Sequence, residues 1–297
     1  MHDIVQQAAR NPATPVAAAA SLVSHPSMLI RWALAERTDL PQESYALLAE
    51  DSMPAVRSEV AANPAIGEPL MRALAADRAA GVAADLARNP RVPLDVLTRL
   101  ARVTRIGSAL LPRIAAASPA ELAEAAASAD ARVRRLVAER RDLAPELRDA
   151  LAADPDASVV KAVAPHPGLP EVLLRAMVAR HGVRVLARVA ADPEAPPALL
   201  EDLALHDPPV RRALRAIAAH PRATAAALLP CLAEERARPA VARHPALDPA
   251  VLAGLLADAD HEVARAAAAN PALPVVVMTA LIADGPRPAA RSGVRGI

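Results

Sequence analysis

Three histidines share one position of an internal repeat, and their imidazoles are the side chains best suited to chemistry in this sequence. They are His166, His220 and His244. Imidazole binds zinc and titrates near neutral pH, so one interpretation is a metal site or a pH sensor. The other is that histidine replaces the asparagine that ends a helix in other repeats. His220 and His244 belong to adjacent repeats, so their backbones should lie ~8–10 Å apart. Because a zinc–nitrogen bond is only ~2 Å long and no third ligand is evident, we favour the helix-ending role and predict no metal.

Four arginines share another position of the repeat, one residue after a column of aliphatic side chains. They are Arg31, Arg57, Arg134 and Arg238. A ladder of guanidiniums could bind phosphates or an acidic peptide, so these four are the candidate partner-binding residues. The other repeats carry uncharged residues there, so no continuous basic stripe is expected. We favour ion pairs between these arginines and the Asp and Glu of neighbouring repeats.

Catalytic motifs are missing from the sequence. It contains no phosphate-binding glycine loop, no H-E-x-x-H and no G-x-S-x-G. The single cysteine, Cys231, excludes an internal disulfide and any cysteine-rich metal site. We therefore predict no catalytic residues, no cofactor and no enzymatic activity.

The composition favours thin layers of helices over a thick globular core. Hydrophobic residues make up 54% of the 297, yet Trp32 and Tyr45 are the only aromatic residues. A compact core normally uses aromatic rings to fill its volume. The formal net charge of +1 gives no general attraction to nucleic acid or to an anionic membrane. With no secretory signal and no apolar run of ~20 residues, the expected location is the cytoplasm and no membrane partner is expected.

A repeat of about 26 residues runs through the chain. One position of each unit, occupied by Asn or His in the clearest units, serves as the anchor of the repeat. The side chains seven and three residues before the anchor are apolar and nearly always aliphatic. The residue two before the anchor is alanine in ten of eleven units. Proline follows the anchor in eight of eleven units, which stops a first helix there, and an Asn anchor can adopt a left-handed cap. The eleven anchors are Asn11, Arg37, Asn63, Asn89, Arg113, Arg140, His166, Asp192, His220, His244 and Asn270.

A second short helix follows each turn. Ser118-Pro119-Ala120-Glu121 has the form of a capping box with proline at the first helical position. Many second helices end near an aspartate that should favour the start of the next first helix as an N-cap. These aspartates include Asp51, Asp77, Asp154 and Asp258.

The pattern V-R-x-x-V-A-x-N-P-x-L-P, clearest in Val56–Ile66, Val82–Pro93 and Ala242–Pro274, resembles the leucine-rich-repeat variant family, a relative of HEAT-like solenoids. The resemblance implies a right-handed superhelix of short α-helices, with or without alternating 3₁₀ helices. Some members bind an iron–sulfur cluster through several cysteines, which Cys231 alone cannot do. We predict an all-α, right-handed α-solenoid of about eleven helix–turn–helix repeats over residues 1–284, and a flexible basic tail at 285–297.

A solenoid architecture says little about function. We expect a scaffold that binds another protein or peptide along its surface. The alternative is a nucleic-acid-binding protein or a DNA glycosylase of the helical-repeat type, which would need aromatic rings and a basic groove. The second helix of the last repeat, residues 275–282, is apolar. It could dock a partner or a second copy, unless 285–297 folds over it or a polar side faces outward.

Overall fold

A computed structural model of the chain describes residues 2–107 and 109–284. The predicted tail at 285–297 lies outside these residues. Throughout the described part the elements are helices joined by turns and loops, without a β-strand, so the predicted all-α class is confirmed. The chain divides into two compact units, Met1–Val163 and Ala164–Ile297.

Each repeat has a first and a second helix, and the two kinds alternate along the first unit. Its first helices are α1 (His2–Arg10), α3 (Met28–Ala35), α5 (Pro54–Ala62), α7 (Ala80–Arg88), α9 (Pro112–Ala115), α11 (Ala131–Ala138) and α13 (Ala157–Val163). Its second helices are α2 (Val16–Ala20), α4 (Gln42–Ala49), α6 (Glu68–Leu74), α8 (Leu94–Val103), α10 (Pro119–Ala126) and α12 (Pro145–Ala152).

The second unit begins with a second helix and continues the alternation. Its second helices are α14 (Glu171–His181), α16 (Pro197–Ala204), α18 (Ala225–Leu228), α20 (Pro249–Leu255) and α22 (Val275–Asp284). Its first helices are α15 (Leu186–Val189), α17 (Arg211–Ala218), α19 (Arg238–Arg243) and α21 (His261–Ala268). Two 3₁₀ turns, Gly182–Arg184 and Leu229–Ala233, adjoin α15 and α18.

Helices in each unit contact the corresponding helices of the neighbouring repeats. In the first unit α5 packs on α7 and α11 on α13, while α4 packs on α6. The first and second helices of one repeat also contact each other; α7 and α8 are an example. This arrangement of neighbouring helices is that of an α-solenoid, as the repeat predicted. Helices of four to eleven residues are too short to persist alone, so packing against neighbours must supply most of their stability.

The aliphatic columns of the repeat form the core. Val56, Val60 and Ala61 of α5 are fully buried, as are Val82, Leu86 and Ala87 at the same positions of the next repeat. These three positions lie on one face of a helix, and the small alanine allows neighbouring backbones to approach closely. The buried columns explain how residues of modest size can exclude water without aromatic rings.

Asparagine anchors connect each repeat to the one before it. Asn89 is fully buried, and its Nδ2 donates to the carbonyls of Ala61 at 2.9 Å and Asn63 at 2.8 Å. Its Oδ1 accepts the Arg91 backbone N–H at 2.9 Å. Asn63 makes the same three contacts one repeat earlier. The predicted left-handed cap is wrong, because Asn89 has φ −62° and ψ 124°. An extended backbone directs the amide at the preceding repeat and so satisfies two of its buried carbonyls.

Histidine and arginine anchors make comparable connections. In the second unit His244 Nε2 lies 3.0 Å from the His220 carbonyl, and its Nδ1 accepts the Ala246 N–H at 3.2 Å. A ring whose Nδ1 accepts and whose Nε2 donates is neutral, with its proton on Nε2. In the first unit Arg37 Nη1 donates to the Asn11 carbonyl at 2.7 Å. His244 is the C-cap of α19, as the helix-ending interpretation predicted, and the His220 ring makes the equivalent contacts to the Asp192 carbonyl at 2.7 Å and the Arg222 N–H at 3.1 Å.

The repeat is broken at its fifth unit, where the predicted register is wrong. Arg113, the expected anchor, lies inside the four-residue helix α9, and Leu110, expected in the core, is 42% exposed. Ala117 instead makes the anchor's backbone bond, from its N–H to the Ile114 carbonyl at 3.2 Å. Ala117 follows Asn89 by 28 residues, and the non-helical stretch Thr104–Ile106 replaces most of a first helix. As a result α11 packs directly on α8.

Candidate functional site

The four predicted arginines lie at junctions between repeats. Arg57 Nε donates to Asp77 Oδ2 at 2.6 Å and Nη2 to Oδ1 at 3.0 Å, while Nη1 donates to the Asp51 carbonyl at 2.7 Å. The arginine thus binds the turn before its own first helix and the turn before the next one. Arg31 and Arg134 bind Asp51 and Asp154 in the same way, and Arg238 forms an ion pair with Asp258 through Nη2.

These ion pairs are largely shielded from solvent. The side chains of Arg57 and Asp77 are 17% and 9% exposed. Hydrogen bonding to Asp77 raises the pKa of Arg57, and the same bonds lower the pKa of Asp77. Pairing with nearby carboxylates is the arrangement that the sequence favoured. Partner binding by the four arginines stays a prediction.

The aspartates of these pairs do not cap helices as expected. Asp77 Oδ1 accepts the Ala79 N–H at 2.7 Å, but Ala79 is itself the N-cap of α7. The carboxylate therefore closes the turn before the helix and orients the arginine. A helix N-cap is found instead at Asp260, whose side chain accepts the Glu262 N–H at 2.9 Å.

A basic cavity occupies the gap left by the broken repeat in the first unit. Its volume is about 520 Å³, and its lining includes Arg105, Arg132, Arg135, Ile106 and Leu136. Arg132 Nη1 donates to the Arg102 carbonyl, and Arg135 Nη2 to the Ile106 carbonyl at 2.7 Å. Among the described residues that line this basic cavity, none carries a carboxylate. The lining of the cavity is therefore basic.

Sequence reasoning missed the basic cavity, although two signals pointed towards it. The spacing of anchors is irregular between Asn89 and Arg140, and arginines are dense on both sides of the break, at Arg102, Arg105, Arg132 and Arg135. The irregular spacing alone does not say which side chains come together. Which side chains come together is decided by the path of Thr104–Ile106 against α11.

An acidic–aromatic surface, formed by Leu29, Trp32, Glu36 and Glu59, lies on first helices near the start of the first unit. Leu29 is 48% exposed and precedes Trp32 by one helical turn. Arg10 lies 4.8 Å from the centroid of the Trp32 ring and pairs with Glu36 at 2.6 and 2.7 Å. Burial, and then the charge of Glu36, raise the pKa of Glu59. The carboxylates of Glu36 and Glu59 therefore lie close enough to repel each other.

Cys231 has no reactive character. It is fully buried, and its Sγ donates to the Ala227 carbonyl at 3.2 Å. Burial raises the pKa of the thiol to about 12, so the nucleophilic thiolate is scarce at neutral pH. Across residues 2–107 and 109–284, no group of three or more His, Cys, Asp or Glu side chains is placed to hold a metal ion.

The final helix α22 exposes apolar side chains. Val275, Val276 and Ile282 are 72%, 75% and 81% exposed. In the described residues, no helix has both the length and the apolar character needed to cross a membrane.

Comparison with protein-family models and with curated proteins finds no match to this chain. Among solved structures, the chain is similar to an engineered protein known from a crystal structure, with 17% identity. That alignment covers 94% of this chain and 76% of the engineered one, with a TM-score of 0.24.

Proposed function

We propose that this chain is a non-enzymatic, cytoplasmic scaffold of the leucine-rich-repeat variant type that binds a segment of another protein. The observation that carries the proposal is the acidic–aromatic surface. Trp32 and the exposed Leu29 supply apolar area there, and tryptophan is among the residues that most often dominate binding energy at protein interfaces. Solenoids are suited to this use because side chains from successive repeats line one extended surface.

The charge of the surface favours a basic partner segment. Glu36 and Glu59 lie close enough for the charge of one to raise the pKa of the other, so an added cation would relieve their repulsion. Arg10 already shows how a guanidinium can lie over the Trp32 ring while it pairs with Glu36. A lysine or arginine of the partner would use the same two kinds of contact.

The intrinsic fluorescence of Trp32, the single tryptophan, reports directly on this surface. We expect a short lysine–leucine peptide to change the emission saturably, and a glutamate–leucine peptide of equal length to leave it unchanged. The E59K variant should abolish the response, because it reverses the charge that attracts the peptide. E43K is the matched control, since Glu43 is exposed on a second helix. An unchanged response in E59K would overturn the proposal.

Affinity capture from the native cell then compares the wild type with both variants. Proteins retained by the wild type and E43K but lost with E59K are the partners that the proposal requires. Capture of the same proteins by all three forms would place binding elsewhere, with Arg31, Arg57, Arg134 and Arg238 the next residues to substitute.

Two further expectations from the sequence remain predictions. Nucleic-acid binding, or a glycosylase of the helical-repeat type, is the alternative function, and a gel shift at low salt tests it because phosphate contacts strengthen as salt falls. Self-association through α22 is the other, and the mass in light scattering at high protein concentration tests it.

A further inference from the structure

The basic cavity differs from every other arginine cluster described above in the partners of its guanidiniums. Arg31, Arg57 and Arg134 each meet an aspartate, whereas the hydrogen bonds that the Arg132 and Arg135 side chains make to described residues go to backbone carbonyls. Arg105 makes no hydrogen bond or ion pair with the described residues, and it is exposed. A carbonyl orients a guanidinium without neutralising it, so the positive charge stays available to an external anion.

The break in the repeat creates both the space and the orientation. Because α11 packs on α8, the first turn of α11 faces the stretch Thr104–Ile106 where a full helix would otherwise lie. Arg132 and Arg135 are three residues apart and so share one face of α11. Their bonds to Arg102 and Ile106 hold both guanidiniums at the cavity while leaving further N–H donors available.

We propose that the basic cavity binds a phosphate monoester carried by a protein or peptide. A phosphate monoester has a charge near −1.5 to −2 and three acceptor oxygens, which suits three arginines better than one carboxylate would. The volume of about 520 Å³ would admit the group together with adjoining backbone. A polynucleotide fits less well, because no aromatic side chain lines the cavity to stack on a base.

Calorimetric titration with a phosphoserine peptide of alanine flanks tests the proposal on the full chain. The unphosphorylated peptide, the same peptide with glutamate, and a single-stranded oligonucleotide are the comparison probes. We expect saturable binding of the phosphopeptide that weakens as salt rises. Substitution R105Q should weaken it about tenfold, the size expected for one charge-assisted contact.

R105Q is the cleanest variant because Arg105 holds no contact that the fold needs among the described residues. R132Q and R135Q should weaken binding as well, and their circular dichroism shows whether they remain folded. R78Q is the matched control, since Arg78 is exposed and lies outside the cavity lining.

Loss of phosphopeptide binding in R105Q but not in R78Q supports the proposal. Equal binding of the glutamate peptide would overturn the phosphate class, and tighter binding of the oligonucleotide would overturn the protein partner. Absence of any binding by the wild type, or equal binding by R105Q, would overturn the site itself. These outcomes do not depend on the acidic–aromatic surface, which E59K tests separately.

Discussion

At the scale of single residues, one role is filled by different side chains. Asn89 and His244 both accept the N–H two residues ahead and donate to the preceding anchor's carbonyl. What the position requires is an acceptor and a donor at opposite ends of a short planar group. That requirement explains why either asparagine or histidine can occupy the position.

Asn89→Ala should lower the free energy of unfolding by about 2 kcal/mol, because it leaves the Ala61 carbonyl and the Arg91 N–H without the partner that the amide supplies and removes one of two bonds to the Asn63 carbonyl. His244→Asn should change it by less than about 1 kcal/mol, because Asn270 makes the same contacts in the next repeat. Urea denaturation of the two variants measures both values. A loss in H244N as large as that in N89A would contradict the shared role.

At the scale of elements, the start of α10 is the helix end that the sequence predicted best. Ser118 accepts the Glu121 N–H at 3.3 Å, and Glu121 Oε2 accepts the Ser118 N–H at 2.8 Å, as the capping box requires. The pattern needs only four consecutive residues, so it could be recognised without the fold. The Arg113 guanidinium that also binds Glu121 comes from the misplaced repeat and was not foreseen.

The capping box should make stability depend on pH. Hydrogen bonding to Arg113, and then to Ser118, lowers the pKa of Glu121 from 4.5 to about 2. A carboxyl whose pKa is lower in the folded state stabilises the fold at pH above 4.5, and this contribution is lost as pH falls towards 2. Glu121→Gln should therefore lower the Tm at pH 7, and its deficit should shrink between pH 4.5 and 2.

Thermal melts across that pH range measure the deficit. E124Q is the control, because Glu124 is exposed on the same helix. A deficit in E121Q that stays constant down to pH 2 would show that Glu121 acts through packing and not through its charge.

At the scale of the whole molecule, helices contact mainly their neighbours in sequence. Stability in such a chain is close to a sum of terms for each repeat and its neighbours. The effect of one lost anchor should therefore fade within a few repeats. In a globular protein with one shared core, amides throughout the chain would lose protection against hydrogen exchange.

Hydrogen–deuterium exchange of the N89A variant tests this locality. We expect faster exchange in amides of α5, α7 and the turn at Asn89–Val92, and unchanged exchange in α19 and α21 of the second unit. Uniformly faster exchange along the chain would mean that the repeats unfold as a single cooperative body.

Outside the broken fifth repeat, the sequence by itself determined most of the elements and the core positions. Helix periodicity placed Val56, Val60 and Ala61 on one face, and prolines marked where first helices end. These signals are local, because they depend on residues within one or two helical turns of each other. The repeat then implied stacking, since such short helices need neighbours to cover them.

Only the tertiary structure decided which polar groups meet. The Asn89 amide reaches a carbonyl 28 residues away, and Arg57 binds an aspartate 20 residues away, so neither contact is visible in local spacing. The basic cavity is the clearest case, because it exists where a helix of the repeat is missing. Its arginines can be read directly from the sequence. Their meeting in a cavity whose lining has no carboxylate results from the packing of α11 on α8, and this packing depends on the path of the whole broken repeat.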